Sequence, residues 1–350
     1  MVKRYLCVRL DSAGDVLLTG PAVRAVAAEA MDVTFLAGPL GTDAARLLPG
    51  VDEVLTWHCP WIAADPPQVD AGDVRDLVAL LSERHFDGAL VFTSFHQSPL
   101  PTALLLRLAR IPWVGAVSVD YPGSLLDLRH HVADDVPEAE RALSLARAAG
   151  FGSAADDGRL RLRTPLPDVG HLVGATPYVV LHPGTSVPAR AWPADRFAET
   201  ARALVAAGRR VLVTGSPSER HLTAIAAAGV AEDVGGRTDL AGLAAVVAGA
   251  EAIVVGNTGP AHLAAAVGTP VVSLFAPTVP ASRWAPYGVP RVLLGDQRAP
   301  CADSRATRCP VPGHPCLTSV TAQQVVAALD DLVPAGRVGG GEGTREEVAS

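Results

Sequence analysis

The sequence predicts an α/β protein built of two parallel-sheet domains that face each other across a cleft. Three observations carry this. Short apolar runs alternate with helical stretches along nearly the whole chain. The alternation breaks at Thr164-Pro-Leu-Pro-Asp-Val-Gly170, a rigid and turn-rich stretch, and then restarts. A chain of 350 residues with 49% hydrophobic content can bury two cores of ordinary size. The expected division is residues 1–165, residues 177–333, and a Gly-rich, charged tail at 334–350 read as disordered.

In the first part, the run at 4–10 reads as a strand that ends in Asp11-Ser-Ala-Gly-Asp15, with an apolar helix over 16–30. Strands follow at 32–37 and 51–56, separated by a short helix near 42–48. The stretch 57–68 is too rich in Pro and Trp to continue the pattern and reads as a loop over the cleft, with Trp57 and Trp61 available to an acceptor or to packing. Helices over 73–84 and 100–110 alternate with strands at 87–92 and 112–117. His130 and His131 precede a helix from about residue 137 to 150, and 159–163 reads as a short strand.

The second part repeats the pattern. Strands are expected at 178–182, 210–214, 252–255 and 270–275, with helices over 193–207, 218–228, 239–248, 260–267 and 321–332. The strand ending at Val255 runs into Asn257-Thr-Gly-Pro-Ala-His262, a tight turn with Pro260 in the first turn of the next helix. A helix start of this kind presents unpaired N–H groups and a partial positive charge, so it suits a diphosphate. Thr258 and His262, four residues apart, share one helix face and add side-chain donors.

The charge pattern excludes several functions. A net charge of −7 argues against nucleic acid as the main partner. Lys3 is the only lysine, which rules out a Gly-Lys-Ser/Thr phosphate loop. A phosphate clamp must then come from arginine, a helix terminus or backbone amides. Gly184, Thr185, Ser186 and Arg190, in the turn after the strand at 178–182, offer such a clamp, and Gly215 opens a similar turn after the next strand. Glu219 reads either as a helix N-terminal acid or as an acceptor for a ribose diol.

Asp15 has two readings. It can complement the dipole of its helix, or it can act as a general base in a cleft that Gly14 opens to substrate. Cys7, Cys59, Cys301, Cys309 and Cys316 form no even disulfide framework, and the last three lack the paired spacing of a zinc knuckle, so no metal is expected. No basic-then-apolar segment precedes the first strand, and the longest uncharged window, 257–282, is interrupted by Gly268, Pro270 and Pro277. A cytoplasmic protein without a transmembrane segment is expected.

These motifs together resemble glycosyltransferase family 9, the heptosyltransferases that use ADP-sugars. The resemblance lies in Arg9-Leu-Asp-Ser-Ala-Gly-Asp-Val16, His182-Pro-Gly184, Arg190-Ala-Trp-Pro193, Thr214-Gly-Ser-Pro-Ser-Glu219, Asn257-Thr-Gly-Pro-Ala-His-Leu263 and Phe275-Ala-Pro-Thr278. It implies a GT-B fold of two Rossmann-like domains, with the acceptor on the first and the nucleotide-sugar on the second. It also implies an inverting transfer without metal or cofactor, with Asp15 as base, Arg190 neutralising the diphosphate, Glu219 at the nucleoside, and Thr258, Gly259 and His262 at the phosphates.

Two departures from the family pattern stand out. Where the family has Asp before Thr-Gly, this chain has Asn257, which keeps a capping oxygen and loses a charge. The first part carries no dense Lys/Arg cluster, which opens the acceptor to a glycan, a glycolipid or a small molecule as much as to a phosphorylated lipopolysaccharide core. The competing readings are a GT-B epimerase or hydrolase, which calls for more acids and histidines in the cleft, and a nucleotide-sugar sensor without turnover. A dinucleotide oxidoreductase is disfavoured, since no Gly-x-Gly-x-x-Gly follows a strand.

Overall fold

The computed structural model describes residues 3–63, 65–133, 135–152 and 156–334. Six strands make the first sheet: β1 (Arg4–Arg9), β2 (Asp32–Ala37), β3 (Glu53–Thr56), β4 (Gly88–Val91), β5 (Val114–Val117) and β6 (Leu128–His130). All pair in parallel, in the order β3-β2-β1-β4-β5-β6. Helices α1 (Ala13–Ala27), α2 (Thr42–Arg46), α3 (Ala71–Glu83), α4 (Leu100–Leu108) and α5 (Glu138–Ala148) accompany it, and the single turn α6 (Gly170–Val173) leads out.

The second sheet repeats this plan. Its strands are β7 (Val179–His182), β8 (Val211–Val213), β9 (Glu232–Asp233), β10 (Ala252–Gly256), β11 (Val271–Leu274) and β12 (Arg291–Leu294), ordered β12-β11-β10-β7-β8-β9. Its helices are α7 (Ala194–Ala206), α8 (Arg220–Ala227), α9 (Leu240–Ala248), α10 (Gly259–Val267), α11 (Ala281–Trp284), α12 (Pro315–Thr318) and α13 (Ala322–Leu332). In each sheet the strand order reverses beside the first strand, between β1 and β4 and between β7 and β10. Open parallel sheets bind ligands outside the carboxyl ends of their strands at such a point. The register sets His182 against Val255, so the turns that follow β7 and β10 emerge side by side.

The buried side chains explain how the two halves meet. One apolar cluster lies on the far face of each sheet, around Leu77, Leu81 and Leu106 in the first half and Phe197, Leu204 and Leu329 in the second. The third runs from one half into the other, joining Val16, Val23 and Leu48 to Val246, Leu263 and Ala264. Helix α1 packs against both α5 and α10. It is buried along most of its length, as a helix that is apolar around most of its circumference must be.

Several boundaries differ from the sequence reading. Helix α1 starts at Ala13, because Ser12 already has the extended backbone of an N-cap (φ −80°, ψ 170°) and an acid is at home in a first helical turn. The segment 159–163 forms no strand; it crosses the surface of the first half, where the Arg159 carbonyl accepts from Arg24 and the Arg163 N–H donates to the Leu47 carbonyl. Strands β6, β9 and β12 escaped the pattern because all three are short, and none of their residues is buried. Most of the expected disordered tail, residues 335–350, lies outside the described residues.

Candidate active site

Two helix starts face each other where the sheets reverse. On the first half, β1 ends at Arg9 and α1 begins at Ala13, which puts Asp15 in the first turn with its side chain 20% exposed. The Ser12 hydroxyl donates to Asp15 Oδ2 at 2.8 Å, and Arg9 Nη2 donates to Asp15 Oδ1 at 3.0 Å. On the second half, β10 ends at Gly256, Thr258 takes the extended N-cap conformation (φ −145°, ψ 173°), and α10 begins at Gly259.

Gly14 is what lets these starts touch. A Cβ at Gly14 would lie 2.9 Å from His262 Cδ2 and 3.2 Å from Gly259 Cα. Asp15 thereby joins a field drawn from both halves. Burial pushes its carboxyl toward the neutral form, but Arg9, the Ser12 hydroxyl, His262 and Arg190 together outweigh it and hold the carboxyl below the ordinary range. It is an ionised acceptor at neutral pH.

The second half presents polar atoms without partners. Asn257 is 5% exposed, and neither its Oδ1 nor its Nδ2 has a hydrogen-bond partner. The same holds for His262 Nδ1, Arg190 Nε and Thr278 Oγ1. Leaving buried polar atoms unpaired costs about 1–3 kcal/mol each, so a cluster of them at one strand reversal calls for a polar ligand. Burial holds the His262 imidazole at a pKa of about 4, Arg190 lowering it further against the opposing pull of Asp15, so the ring is neutral and can donate only from one nitrogen.

The neighbouring turn completes the cradle. His182, at the end of β7, shares a 2.9 Å hydrogen bond between its Nδ1 and the Thr214 hydroxyl. Arg190 closes the single 3-10 turn Pro188–Arg190, and its carbonyl lies against Gly256. The Thr185 hydroxyl accepts from the Val187 N–H at 3.3 Å, while Ser186 is exposed. Glu219 serves first as a cap: its Oε2 accepts from the Ser216 N–H at 2.7 Å and from the Ser216 hydroxyl at 2.8 Å. Its carboxylate also lies over Gly184, where a Cβ would come within 2.2 Å of Oε1, and Gly215 gives room to Thr223 and Glu219.

Of the two readings open to the tryptophans, an acceptor contact or packing, the structure shows packing. Trp57 is 6% exposed and its Nε1 donates to Asp73 Oδ2, so it is a core residue beneath α3 and presents no ring to an acceptor. Trp61 packs edge-on to it and donates to the Thr102 hydroxyl. Their apolar area won over their place in an irregular loop. Cys301 and Cys316 are buried, His314 is engaged by the Ala189 carbonyl, and among the described residues no group of three or more His, Cys, Asp or Glu is placed to hold a metal.

The fold also brings together residues that no single motif announces. Phe95, after β4, packs between Trp284 and the Arg283 guanidinium, whose carbon lies 4.1 Å from the ring centre. Arg305 reaches His96 across the cleft. Phe95, His130, His131, Arg141 and Arg283 line one cavity. The two arginines of this cavity come one from each half, Arg141 from the first and Arg283 from the second, with Asp135 beside them. Of these residues the sequence singled out only His130 and His131, by their place before the helix at 137–150.

Comparison with known proteins fits this architecture. The chain covers 94% of itself and 98% of an Escherichia coli ADP-heptose lipopolysaccharide heptosyltransferase II structure, at 21% identity and a TM-score of 0.71. A Veillonella parvula glycosyl transferase family 9 structure aligns over 95% of this chain and 97% of that one, at 17% identity and a TM-score of 0.75. Escherichia coli heptosyltransferase WaaC with ADP-2-deoxy-2-fluoro heptose aligns over 94% and 99%, at 22% identity and a TM-score of 0.69. These likenesses establish the GT-B fold. A search of curated proteins finds no match. The family model of glycosyltransferase family 9 (heptosyltransferase) matches residues 74–313, more than half of the chain. With two Rossmann-like sheets reversing toward one another around Asp15 and Asn257, this chain belongs to glycosyltransferase family 9.

Proposed function

We propose that this glycosyltransferase moves a heptose from ADP-heptose to a hydroxyl group of a glycan, glycolipid or small-molecule acceptor, with inversion and without a metal or cofactor. The acceptor sits on residues 1–165 and the nucleotide-sugar on residues 177–333. The reading rests on one observation above all: an ionised Asp15 stands against a helix start whose surroundings hold unpartnered buried atoms of Asn257, His262, Arg190 and Thr278. The donor is taken from two structural neighbours, an ADP-heptose lipopolysaccharide heptosyltransferase and a heptosyltransferase with ADP-2-deoxy-2-fluoro heptose.

The chemistry follows from this geometry. Asp15 accepts the proton of the acceptor hydroxyl as its oxygen attacks the anomeric carbon from the face opposite the diphosphate. The new C–O bond forms as the bond to the diphosphate oxygen breaks, and the leaving group departs with the electron pair. Arg190 and the N–H groups that open α10 stabilise the charge developing on it, with Thr258 and His262 as added donors. Asn257 fills the place of a family aspartate and contributes both a donor and an acceptor without adding negative charge beside the diphosphate. Glu219 keeps Oε1 for the nucleoside, and Gly184, Thr185, Ser186 and Gly215 line the approach. We place the enzyme in the cytoplasm, consistent with the lack, among the described residues, of a helix long and apolar enough to cross a membrane.

The first test is a melting panel with ADP, UDP, GDP, dTDP, CDP and NADH. A ligand at about 100 times its dissociation constant stabilises the fold by about 2.7 kcal/mol. ADP is expected to give the largest shift; another diphosphate would move the donor, and NADH alone or no response would overturn the reading. In parallel, Asp15→Asn is expected to lower the transfer rate about 10²–10⁴-fold and to leave ADP binding in place. Loss of both binding and fold would remove Asp15 from the role of base.

A further inference from the structure

Asp15 shares its cation. Arg9, 2% exposed at the end of β1, places Nε 2.6 Å from Asp11 Oδ2, Nη2 3.0 Å from Asp15 Oδ1, and Nη1 3.8 Å from Glu138 Oε2. Its Nη2 also donates to the Ser94 hydroxyl at 2.8 Å. One guanidinium thus serves three carboxylates, from the turn after β1, from α1 and from α5. Glu138 is the odd member: it opens α5, is 2% exposed, and neither carboxylate oxygen has a hydrogen-bond partner. Its nearest cations, Arg9 and Arg141, both stand 3.8 Å away. Ala139, Ala142, Leu143 and Leu145 already supply the apolar face of α5, so packing does not call for a carboxylate here. A carboxylate buried in this way costs several kcal/mol unless its charge is used.

We infer that Arg9 and Glu138 are positioning residues for the proposed base: Arg9 fixes the orientation of the Asp15 carboxylate, and Glu138 draws part of the guanidinium charge away from it, so that Asp15 keeps proton affinity it would lose by holding Arg9 alone. The inference rests on the reading of Asp15 as base. Other titratable and charged groups facing Asp15 are Asp11 and His96 from its own half and His262 and Arg190 from the other. Arg141 and Arg283 act on Glu138, and Arg305 faces Asp11. Burial raises the Glu138 carboxyl above the ordinary range, against Arg9 and Arg141, which is the direction expected of an acid that receives only a share of a cation.

The test is the titration of Asp15, followed by carboxyl carbon-13 NMR of the full chain with labelled aspartate and assigned through Asp15→Asn. Glu138→Gln is expected to move the Asp15 midpoint to lower pH, because the guanidinium is then divided between two carboxylates. Glu138→Asp, which keeps the charge, is expected to recover part of the wild-type midpoint and serves if the glutamine variant does not fold. With ADP-heptose as donor, the acid limb of the kcat profile should follow the same shift. An Asp15 midpoint unmoved by Glu138→Gln overturns the inference, whatever the ligand result. A moved midpoint in a protein that binds no ADP strikes the nucleotide reading and leaves the charge coupling standing.

Discussion

Gly184 and Glu219 form one unit in which a missing side chain holds a present one in place. A Cβ on Gly184 would sit 2.2–2.5 Å from the Glu219 carboxylate atoms, yet that carboxylate is tied at Oε2 to the Ser216 N–H and hydroxyl. Alanine at 184 can take the backbone conformation, so the conflict falls on the carboxylate, which must leave its cap. Losing such a cap costs about 0.5–2 kcal/mol. Gly184→Ala is therefore expected to lower the melting point modestly and to weaken ADP binding more than tenfold if Glu219 meets the nucleoside. Calorimetric titration of ADP beside a denaturant melt separates the two effects. Unchanged ADP affinity in a variant that has lost the cap would leave Glu219 with a structural role alone.

At the scale of elements, the contact of α1 with α10 decides whether the two half-sites become one. Gly14→Ala inserts a methyl 2.9 Å from His262 Cδ2 and 3.2 Å from a backbone atom, Gly259 Cα, which cannot swing aside. Overpacking of this kind costs about 1–3 kcal/mol, and here it also drives Asp15 away from the α10 start. The expected outcome, read by transfer assays and a melt, is a folded protein whose rate falls far more than its stability, since small displacements of reacting groups are costly. Most of these elements were legible in the sequence because a buried parallel strand and its helix repeat a strong apolar pattern: residues 32–37 were found to the residue, and Pro260 and Gly268 bracket α10 as start and stop. Strands β6, β9 and β12 were not, because short strands with no buried residue carry no such pattern. The turns at Asp15, Gly184 and Asn257 announced themselves by composition, whereas Glu138, Arg283 and Arg305 were hidden: their chemistry depends on partners 129, 188 and 209 residues away in Arg9, Phe95 and His96, a separation that local pattern does not encode.

Across the whole molecule, two buried histidines couple the proposed nucleotide cradle to global stability. His182 and His262 are each 5% exposed, and burial holds both at a pKa of about 4, with Glu219 opposing the shift in His182 and Asp15 opposing it in His262. The unfolded chain protonates its histidines near pH 6.5, so it binds more protons than the native state throughout the interval below that value. Their contribution to stability is complete above pH 6.5 and is lost as the pH falls toward 4, on the order of 3 kcal/mol for each ring. Asp11 and Glu138 act in the opposite sense: burial raises both, so the native state takes up their protons first and gains stability as the pH falls. A simple melt against pH mixes these signs. The difference between wild type and His182→Gln/His262→Gln isolates the histidines. Between pH 7 and 4.5 the double variant is expected to lose less stability than wild type in denaturant melts, by a few kcal/mol, although its stability at pH 7 is lower for want of the His182–Thr214 hydrogen bond. Parallel curves for the two proteins would mean that these rings titrate in the native state as they do in the unfolded chain, and His262 would then turn from a neutral donor into a cation below about pH 6.5.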